Sequence, residues 1–386
     1  MQSTPIELQS GFEGLATETI LAVLNHITDL ATLHSLINAS PVVFRLFKEY
    51  GVEITESVLI SGSITKRIPE IIRLIALIRS SSLPIHGLQE FHERVVLQSM
   101  IQQRSQDAFL PRSFPTGTPH VILRSILASA HRISRLTPDC LRHYLNQLAT
   151  IEPEALVDEN FHYWLGHRPG HATIAAWKMR PEGRKVAIGK LEPPSWAEVQ
   201  RVERAFWRVQ FFYDLKIAAA KSIIDWPRED IERLEEMEEP RDLYNKPSLA
   251  ENEEINTIVD YIQRLRIRDR SGSQHVRWFQ LPSPHFELAK DSPMPAFWAD
   301  DHDDLLIPAP AYSQWRSLSS RKELPLRYVP FEPFKKLGFA LWSRERMASL
   351  GFMNPNNPKD GARSIEYYAF TWKSILTAPM TFSNRR

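Results

Sequence analysis

The stretch LATETILAVLNHITDLATLHSLINASPVVFRLFKEYG, residues 15–51, contains three short amphipathic segments near the start of the chain. In the first segment Ile20, Val23, Leu24 and Ile27 recur at the spacing that lines one face of an α-helix. Three helices in so short a stretch are too few to bury a core by themselves. We therefore expect their apolar faces to be covered by the rest of the chain or by a partner.

The third segment has helix boundaries that can be read from residue type. Ser40 can accept a backbone N–H as an N-cap, and Pro41 suits the first turn because its missing N–H would have no partner there. Gly51 suits the left-handed position that follows a helix end. These residues predict a helix over residues 41–50.

Helical spacing continues through the first two thirds of the chain. The most apolar window, residues 68–78, carries two charges and is too short to span a bilayer, so it predicts a buried helix. Ser195 and Glu198 form a capping box, which predicts a long helix from Trp196 whose aromatic residues lie on more than one face. Such a helix is typically enclosed by others, and the chain is predicted to be mainly α-helical.

The C-terminal region has a different composition, because nine of the 28 prolines fall within residues 281–334. Proline removes a backbone donor and restricts the residue before it, so we expect extended segments and turns there. Brief β-like runs are expected at most over residues 276–279 and 326–329. A last helix is predicted after Ser343, ending at Gly351.

The overall composition is that of a globular protein, with 43% hydrophobic and 24% charged residues. Lys and Arg number 47 against 46 Asp and Glu, which leaves no net field to attract nucleic acid or an acidic membrane. The single cysteine, Cys140, cannot form an intramolecular disulfide, and the N-terminus lacks the pattern of a secretory signal. We therefore expect an intracellular protein, cytoplasmic or nuclear, with no nucleic-acid or membrane partner.

The stretch from Leu15 resembles an F-box, and it is closest to the divergent F-box-like domains of uncharacterised filamentous-fungal proteins. Two later blocks, residues 201–215 and 337–352, are similar to recurring blocks of those proteins. In the family this region docks into the Skp-type adaptor of a cullin ubiquitin ligase. The resemblance implies these adaptor-binding residues: Leu15, Ala16, Glu18, Ile20, Leu24, Leu30, Leu33 and Leu36.

Two positions depart from the family pattern. Ala16 stands where the family usually has Pro, and Thr19 stands where it usually has Ile or Leu. Because the Pro and the neighbouring apolar side chains contact the adaptor, these departures affect adaptor affinity rather than the fold.

The resemblance implies a non-enzymatic adaptor that links an unknown protein substrate to a Skp-cullin ubiquitin ligase. The expected organisation is an N-terminal tail (1–14), an F-box-like three-helix bundle (15–60), a larger irregular helical region that holds the substrate or partner (61–281), and a Pro-rich, loop-rich region with little β structure packed on the helical body (282–386). Binding substrate and ligase on one body would raise their effective concentration, so no catalytic residue or cofactor is needed.

Two alternatives remain open. The first is an interaction protein that keeps a degenerate F-box as a structural element and no longer binds the adaptor. The second is an enzyme whose site is assembled from distant residues, such as His162, His167, His171 and the acidic loop 300–304.

Local clusters give little support to catalysis or metal binding. His167 and His171 are separated by Pro169 and Gly170, which exclude the helix that would place both rings on one face. The acidic run 299–304 is interpreted as a solvated loop, and the basic run 264–270 as the cationic end of a helix. Cys140, near a predicted helix start, is interpreted as a small packed hydrophobe. We expect no metal site.

Overall fold

The computed structural model describes residues 14–62, 64–100, 105–163, 179, 181–189, 191–244, 250–268, 281, 309–355 and 363–377. Within these ranges the chain is mainly α-helical with one two-stranded sheet, which confirms the predicted fold class. No helix of the described residues combines the length and the apolarity needed to cross a membrane. The chain divides into two compact units, and each unit is built from three separate stretches of sequence.

The elements follow one another in this order. The first half contains α1 (Thr17–Asn25), α2 (Leu30–Ala39), α3 (Pro41–Ser61), α4 (Arg67–Arg79), α5 (Leu88–Phe91), a π-helical turn (His92–Val96), α6 (Leu97–Met100) and α7 (His120–Leu148). The second half contains β1 (Glu154–Leu156), β2 (Gly183–Lys185), α8 (Trp196–Ala220), α9 (Arg228–Glu236), α10 (Pro240–Leu243), α11 (Ala250–Arg268), α12 (Pro310–Ser319), α13 (Glu332–Lys335), α14 (Arg344–Ser349) and α15 (Ile365–Thr377).

Unit 1 comprises residues 1–138, 203–245 and 262–292. Helices α1 and α2 pack on α3, and α4 buries ten of its 13 residues, as its apolar window predicted. Arg79 at the end of α4 donates two hydrogen bonds of 2.8 Å to the carboxylate of Asp214. Such bidentate pairing satisfies two polar groups that would be costly to bury alone.

Helix α3 corrects one sequence prediction. Its start is as expected, because Ser40 accepts from the N–H of Val43 at 3.4 Å, but it does not end at Gly51. The helix continues to Ser61 across a bend at Tyr50, where φ is −113° and ψ is 23°. Gly51 is buried inside the helix, and an added Cβ would lie 3.2 Å from a methyl group of Leu123. The glycine therefore permits close packing of α7 rather than a helix end.

Helix α8 has the start that the capping box predicted. Glu198 accepts from the N–H of Ser195 at 2.9 Å, and Ser195 accepts from the N–H of Glu198 at 3.3 Å. Its aromatic residues from Phe206 to Tyr213 are buried on several faces. Helices α7, α8 and α11 each contribute residues to both units.

Unit 2 comprises residues 139–202, 246–261 and 293–386. Its core contains a cluster of aromatic rings in which Phe334 and Phe339 lie 4.7 Å and 5.1 Å from the ring of Trp372, measured between centroids. Strand β1 pairs with β2 in the antiparallel sense, with Ala155 opposite Arg184. The cluster includes Trp372 of α15, and β1 packs on the same helix, so α15 contacts both the aromatic cluster and the sheet.

The Pro-rich region is more helical than its composition predicted. Helices α12, α13 and α15 were not expected, and residues 326–329 form a turn rather than a β-like run. Pro310 and Pro333 occupy the first turns of α12 and α13, where a proline costs no hydrogen bond. The predicted helix after Ser343 is confirmed as α14, while residues 276–279 lie outside the described residues.

Candidate functional site

Helix α1 presents one face to solvent along its whole length. Leu15 and Val23 are 41% and 42% exposed. Ala16, Thr19 and Ala22 are exposed beside them at helical spacing. We call this set, together with His26, the α1 face, and its members are Leu15, Ala16, Thr19, Ala22, Val23 and His26.

The opposite side of α1 belongs to the core of unit 1. Ile20 and Leu24 are fully buried, and Ile27 follows them just after the helix. Helix α2 buries Leu30 and Leu33 in the same way, after Asp29 caps it by accepting from the N–H of Thr32 at 2.7 Å. The bundle therefore rests on the chain's own interior and does not depend on a partner for its core.

The eight residues implied by the F-box resemblance fall into two groups. Those on the α1 face or at its rim are exposed, and those at inward positions are buried within the chain. The exposed residues are Leu15, Ala16 and Glu18, the buried ones are Ile20, Leu24, Leu30 and Leu33, and Leu36 is half-buried.

A pair of histidines holds α2 against α7. The rings of His34 and His131 are stacked with their centroids 5.0 Å apart. Burial lowers the pKa of both imidazoles, and the neighbouring cations Arg124, at His34, and Arg135, at His131, lower it further. The neutral forms are therefore favoured at this contact.

Ala16 has a backbone that a proline could adopt. It is the N-cap of α1, with φ −62° and ψ 147°, and its side chain makes no capping hydrogen bond. Since proline fixes φ near −65°, the family's residue would fit here without strain. The departure at position 16 is therefore a change of side chain and not of backbone geometry.

The enzyme alternative depends on residues that the structure describes only in part. His167, His171 and the loop 300–304 lie outside the described residues, while His162 is exposed with its Nδ1 3.3 Å from a carboxylate oxygen of Glu366. Across the residues that are described, no group of three or more His, Cys, Asp or Glu side chains could hold a metal ion.

Cys140 does not lie at a helix start, which corrects the sequence interpretation of its neighbourhood. Helix α7 runs through Pro138, and Cys140 lies inside it, fully buried. Burial raises the pKa of its thiol, so the group behaves as a packed apolar side chain. Residues 264–268 of the basic run form the end of α11, as the helix-end interpretation predicts, and residues 269–270 lie outside the described residues.

Sequence reasoning did not assign Ala22 and His26 to a surface, although their signal was present. Both lie on the same side of the helix as Thr19, one and two turns further on, at i+3 and i+7. The spacing also predicted Val23 on the same face as Ile20, but Val23 is 42% exposed and belongs to the α1 face, whereas Ile20 is buried. The exposed residues of α1 can be identified as one surface once the residues on its other side are known to be buried.

Comparison with known proteins finds no relative from which the fold or the α1 face could be interpreted. No protein-family model matches the chain, no curated protein is significantly similar to it, and no solved structure matches it significantly. The class that the fold defines is a mainly α-helical protein of two units with one small sheet in its described residues.

Proposed function

We propose that this protein is a non-enzymatic, F-box-like adaptor. In this proposal the α1 face binds a Skp-type protein of a cullin ubiquitin ligase, and the larger helical region holds a protein substrate. The adaptor acts by bringing substrate and ligase together on one body, which raises their effective concentration.

The observation that supports the proposal most is the exposed apolar face of α1. Leu15 and Val23 are both exposed within a single nine-residue helix and the residues that precede it, and exposed apolar residues grouped in this way are typical of interaction sites. Ala16 and Ala22 lie beside them and are also exposed, so a partner surface can approach this part of the helix closely.

The buried side of α1 and α2 is consistent with this role. Because Leu24 and Leu33 are fully buried, they can act only by shaping the bundle on which the α1 face is displayed. The preformed bundle would lower the entropic cost of association, since the helix does not have to order on binding.

A second candidate function is favoured by one residue. Thr19 places a hydroxyl in the middle of the α1 face, where an apolar partner surface would have to leave it without a hydrogen bond or accommodate it. An interaction protein with a degenerate F-box, which no longer binds the adaptor, accounts for this residue directly.

Co-purification separates the two candidates. Tagged full-length protein is captured with a recombinant Skp-type adaptor and cullin, beside a variant that combines Leu15→Asp with Val23→Asp. The matched control combines Ile60→Asp with Val121→Asp, since these aliphatic residues are 77% and 61% exposed but lie outside the α1 face. Circular dichroism and thermal unfolding establish that all three proteins are folded.

The adaptor proposal predicts capture by the wild type and by the control, and loss of capture by the α1-face variant. Capture that survives in the folded α1-face variant would place the interface elsewhere. Absence of capture by the wild type would favour the degenerate F-box.

A further inference from the structure

Unit 2 contains an open cleft of about 930 Å³ that the adaptor proposal does not use. Ala155 and Arg184 of the sheet, together with Val186 just after β2, line one side of it. Glu345 and Ser349 of α14 line another side, and the segment 350–355, Arg363 and α15 line the remainder. A cavity of this volume lies in the range of specific ligand sites, so its lining indicates what it can hold.

One wall of the cleft is held in place by a small network. The guanidinium of Arg363 lies 4.2 Å from the ring centre of Tyr367. Asn354 accepts at its Oδ1 from the Tyr368 hydroxyl at 2.7 Å and from the N–H of Arg363 at 3.2 Å. Burial raises the pKa of Tyr368, which keeps its hydroxyl a donor. The wall is therefore preorganised for a ligand.

The charged side chains of the cleft are balanced. Arg184 and Arg363 line it together with Glu159 and Glu345. Within the described residues neither guanidinium forms an ion pair with a carboxylate, so both remain available to an anionic group. Two cations and two anions give no field for a polyanion such as nucleic acid, and they complement a ligand that carries charges of both signs.

The sheet favours an extended ligand. Val186 is 39% exposed at the cleft, and its N–H donates to the carbonyl of Pro153 at 2.8 Å. Arg184 and Val186 are two residues apart in extended chain, so their side chains lie on the same face of the sheet, and that face lines the cleft. An extended chain laid along that face can contact both residues, because its alternate side chains repeat at a similar spacing.

The size and openness of the cleft agree with a segment of polypeptide. A volume of about 930 Å³ corresponds to a width of roughly 10 Å, which about three extended residues would occupy. Arg184, Glu345 and Ser349 are exposed at the rim, so a chain can enter and leave, whereas small-molecule sites commonly enclose most of their ligand.

We propose that the cleft binds an extended peptide of mixed charge. An acidic side chain of the peptide pairs with Arg184 or Arg363, a basic one pairs with Glu159, and an aliphatic residue between them packs on Val186. This site belongs to unit 2 alone and does not require that the α1 face bind an adaptor.

The test uses a phage-displayed random heptapeptide library, selected on the immobilised full-length protein without any ligase component. The best peptides are then synthesised with a fluorescent label, and their affinity is measured by fluorescence polarisation. A variant that combines Arg184→Glu with Arg363→Glu removes the cations of the cleft. The matched control is Arg321→Glu, an exposed arginine of unit 2 that does not line the cleft. Ser349→Trp fills the cleft without changing its charge.

The expected result is enrichment of peptides that carry an acidic and a basic residue within a span of about three positions. Their affinity should fall about tenfold in the double charge reversal and in Ser349→Trp, and it should be unchanged in the control. Peptides that bind all folded variants equally, selection of uncharged or uniformly acidic peptides, or failure to enrich any sequence would each overturn the proposal.

Discussion

The α1 face and the cleft of unit 2 are surfaces of different origin. The α1 face is formed by residues 15–26, which are adjacent in sequence and are brought together by a single helix. The cleft is lined by residues between 153 and 371, drawn from two strands, two helices and several loop segments. The residues of a surface built on one helix can be predicted from helical spacing in the sequence. The residues of a surface built from separate segments depend on tertiary packing, which no local sequence pattern encodes.

The two surfaces also differ in what supports them. The α1 face lies on a bundle filled by aliphatic side chains, among which Leu24 and Leu33 are fully buried. Helix α14, which lines the cleft, is anchored by a buried ion pair in which Arg346 Nη2 lies 2.7 Å from Glu198 Oε2. Apolar packing is lost gradually as atoms are removed, but an ion pair leaves a buried charge when one partner is deleted.

The ion pair is where a substitution should have the largest effect. Glu198 accepts from Nε of Arg346 at 2.8 Å and from the N–H of Ser343 at 2.9 Å, and it also completes the capping box of α8. Glu198→Ala should lower the free energy of unfolding by about 3–5 kcal/mol, because Arg346 stays buried without its carboxylate. Urea denaturation followed by tryptophan fluorescence measures this change.

Arg346→Lys serves as the companion to that variant. Lysine keeps the charge but loses the planar fork that reaches both carboxylate oxygens and the carbonyls of Glu192 and Pro193. The free energy of unfolding of Arg346→Lys should lie between those of the wild type and Glu198→Ala. A loss below about 1 kcal/mol in Glu198→Ala would show that the pair does not anchor α14.

The aliphatic bundle gives the next effect. Leu33→Ala should cost about 2–5 kcal/mol of unfolding free energy, because Leu33 is fully buried and leaves a cavity. Leu36→Ala is the matched change on the same helix at a half-buried position, and it should cost less. Equal losses in the two variants, measured by urea denaturation, would contradict the division of α2 into an inward and an outward side.

A smaller effect is expected on the α1 face itself. Thr19→Ile replaces the hydroxyl in this face with the kind of side chain that the F-box family has there. The added apolar contact should tighten binding to a Skp-type adaptor by about tenfold, measured by isothermal titration calorimetry. Thr150→Ile is the control, since Thr150 is exposed and lies outside α1. An unchanged affinity in Thr19→Ile would exclude position 19 from the interface.

The smallest effect is a pH dependence at the contact between α2 and α7. His34 and His131 have a lowered pKa in the folded protein, relative to an ordinary value of 6.5. Well above about pH 6.5 both imidazoles are neutral in the folded and in the unfolded protein. As the pH falls through this value, the unfolded chain takes up protons before the folded chain does, so the stability falls with falling pH. The cations Arg124 and Arg135 increase this cost.

Urea midpoints at about pH 7.5 and about pH 5 measure this dependence in the wild type and in a variant that combines His34→Gln with His131→Gln. The stability of the variant should fall less between these two pH values than the stability of the wild type. An identical decline in both proteins would assign the pH dependence to other groups.

The sequence predicted most of what is local in this fold. Ser40, Ser195 and Ser343 cap the helices that their positions indicated, and the buried windows of α4 and α8 follow from their apolar content. Gly51 was misread because glycine serves both helix ends and close packing, and only the position of Leu123 decides between them. Such a choice depends on a contact that lies distant in sequence.

The surfaces could be predicted only in part for the same reason. The helical spacing of α1 shows which residues share a face, but which face is buried depends on the rest of unit 1. The cleft had no sequence signal, since Arg184, Glu345 and Arg363 are ordinary surface charges until β2, α14 and α15 bring them together. The helices of the Pro-rich region were missed because prolines in first turns resemble prolines in loops.

The most direct test of the central claim is hydrogen–deuterium exchange of the full-length protein with and without a purified Skp-type adaptor. The account predicts that binding slows exchange in peptides covering residues 15–26 and leaves α14 and α15 unchanged. Protection confined to another part of the chain, or no protection anywhere at saturating adaptor, would contradict it.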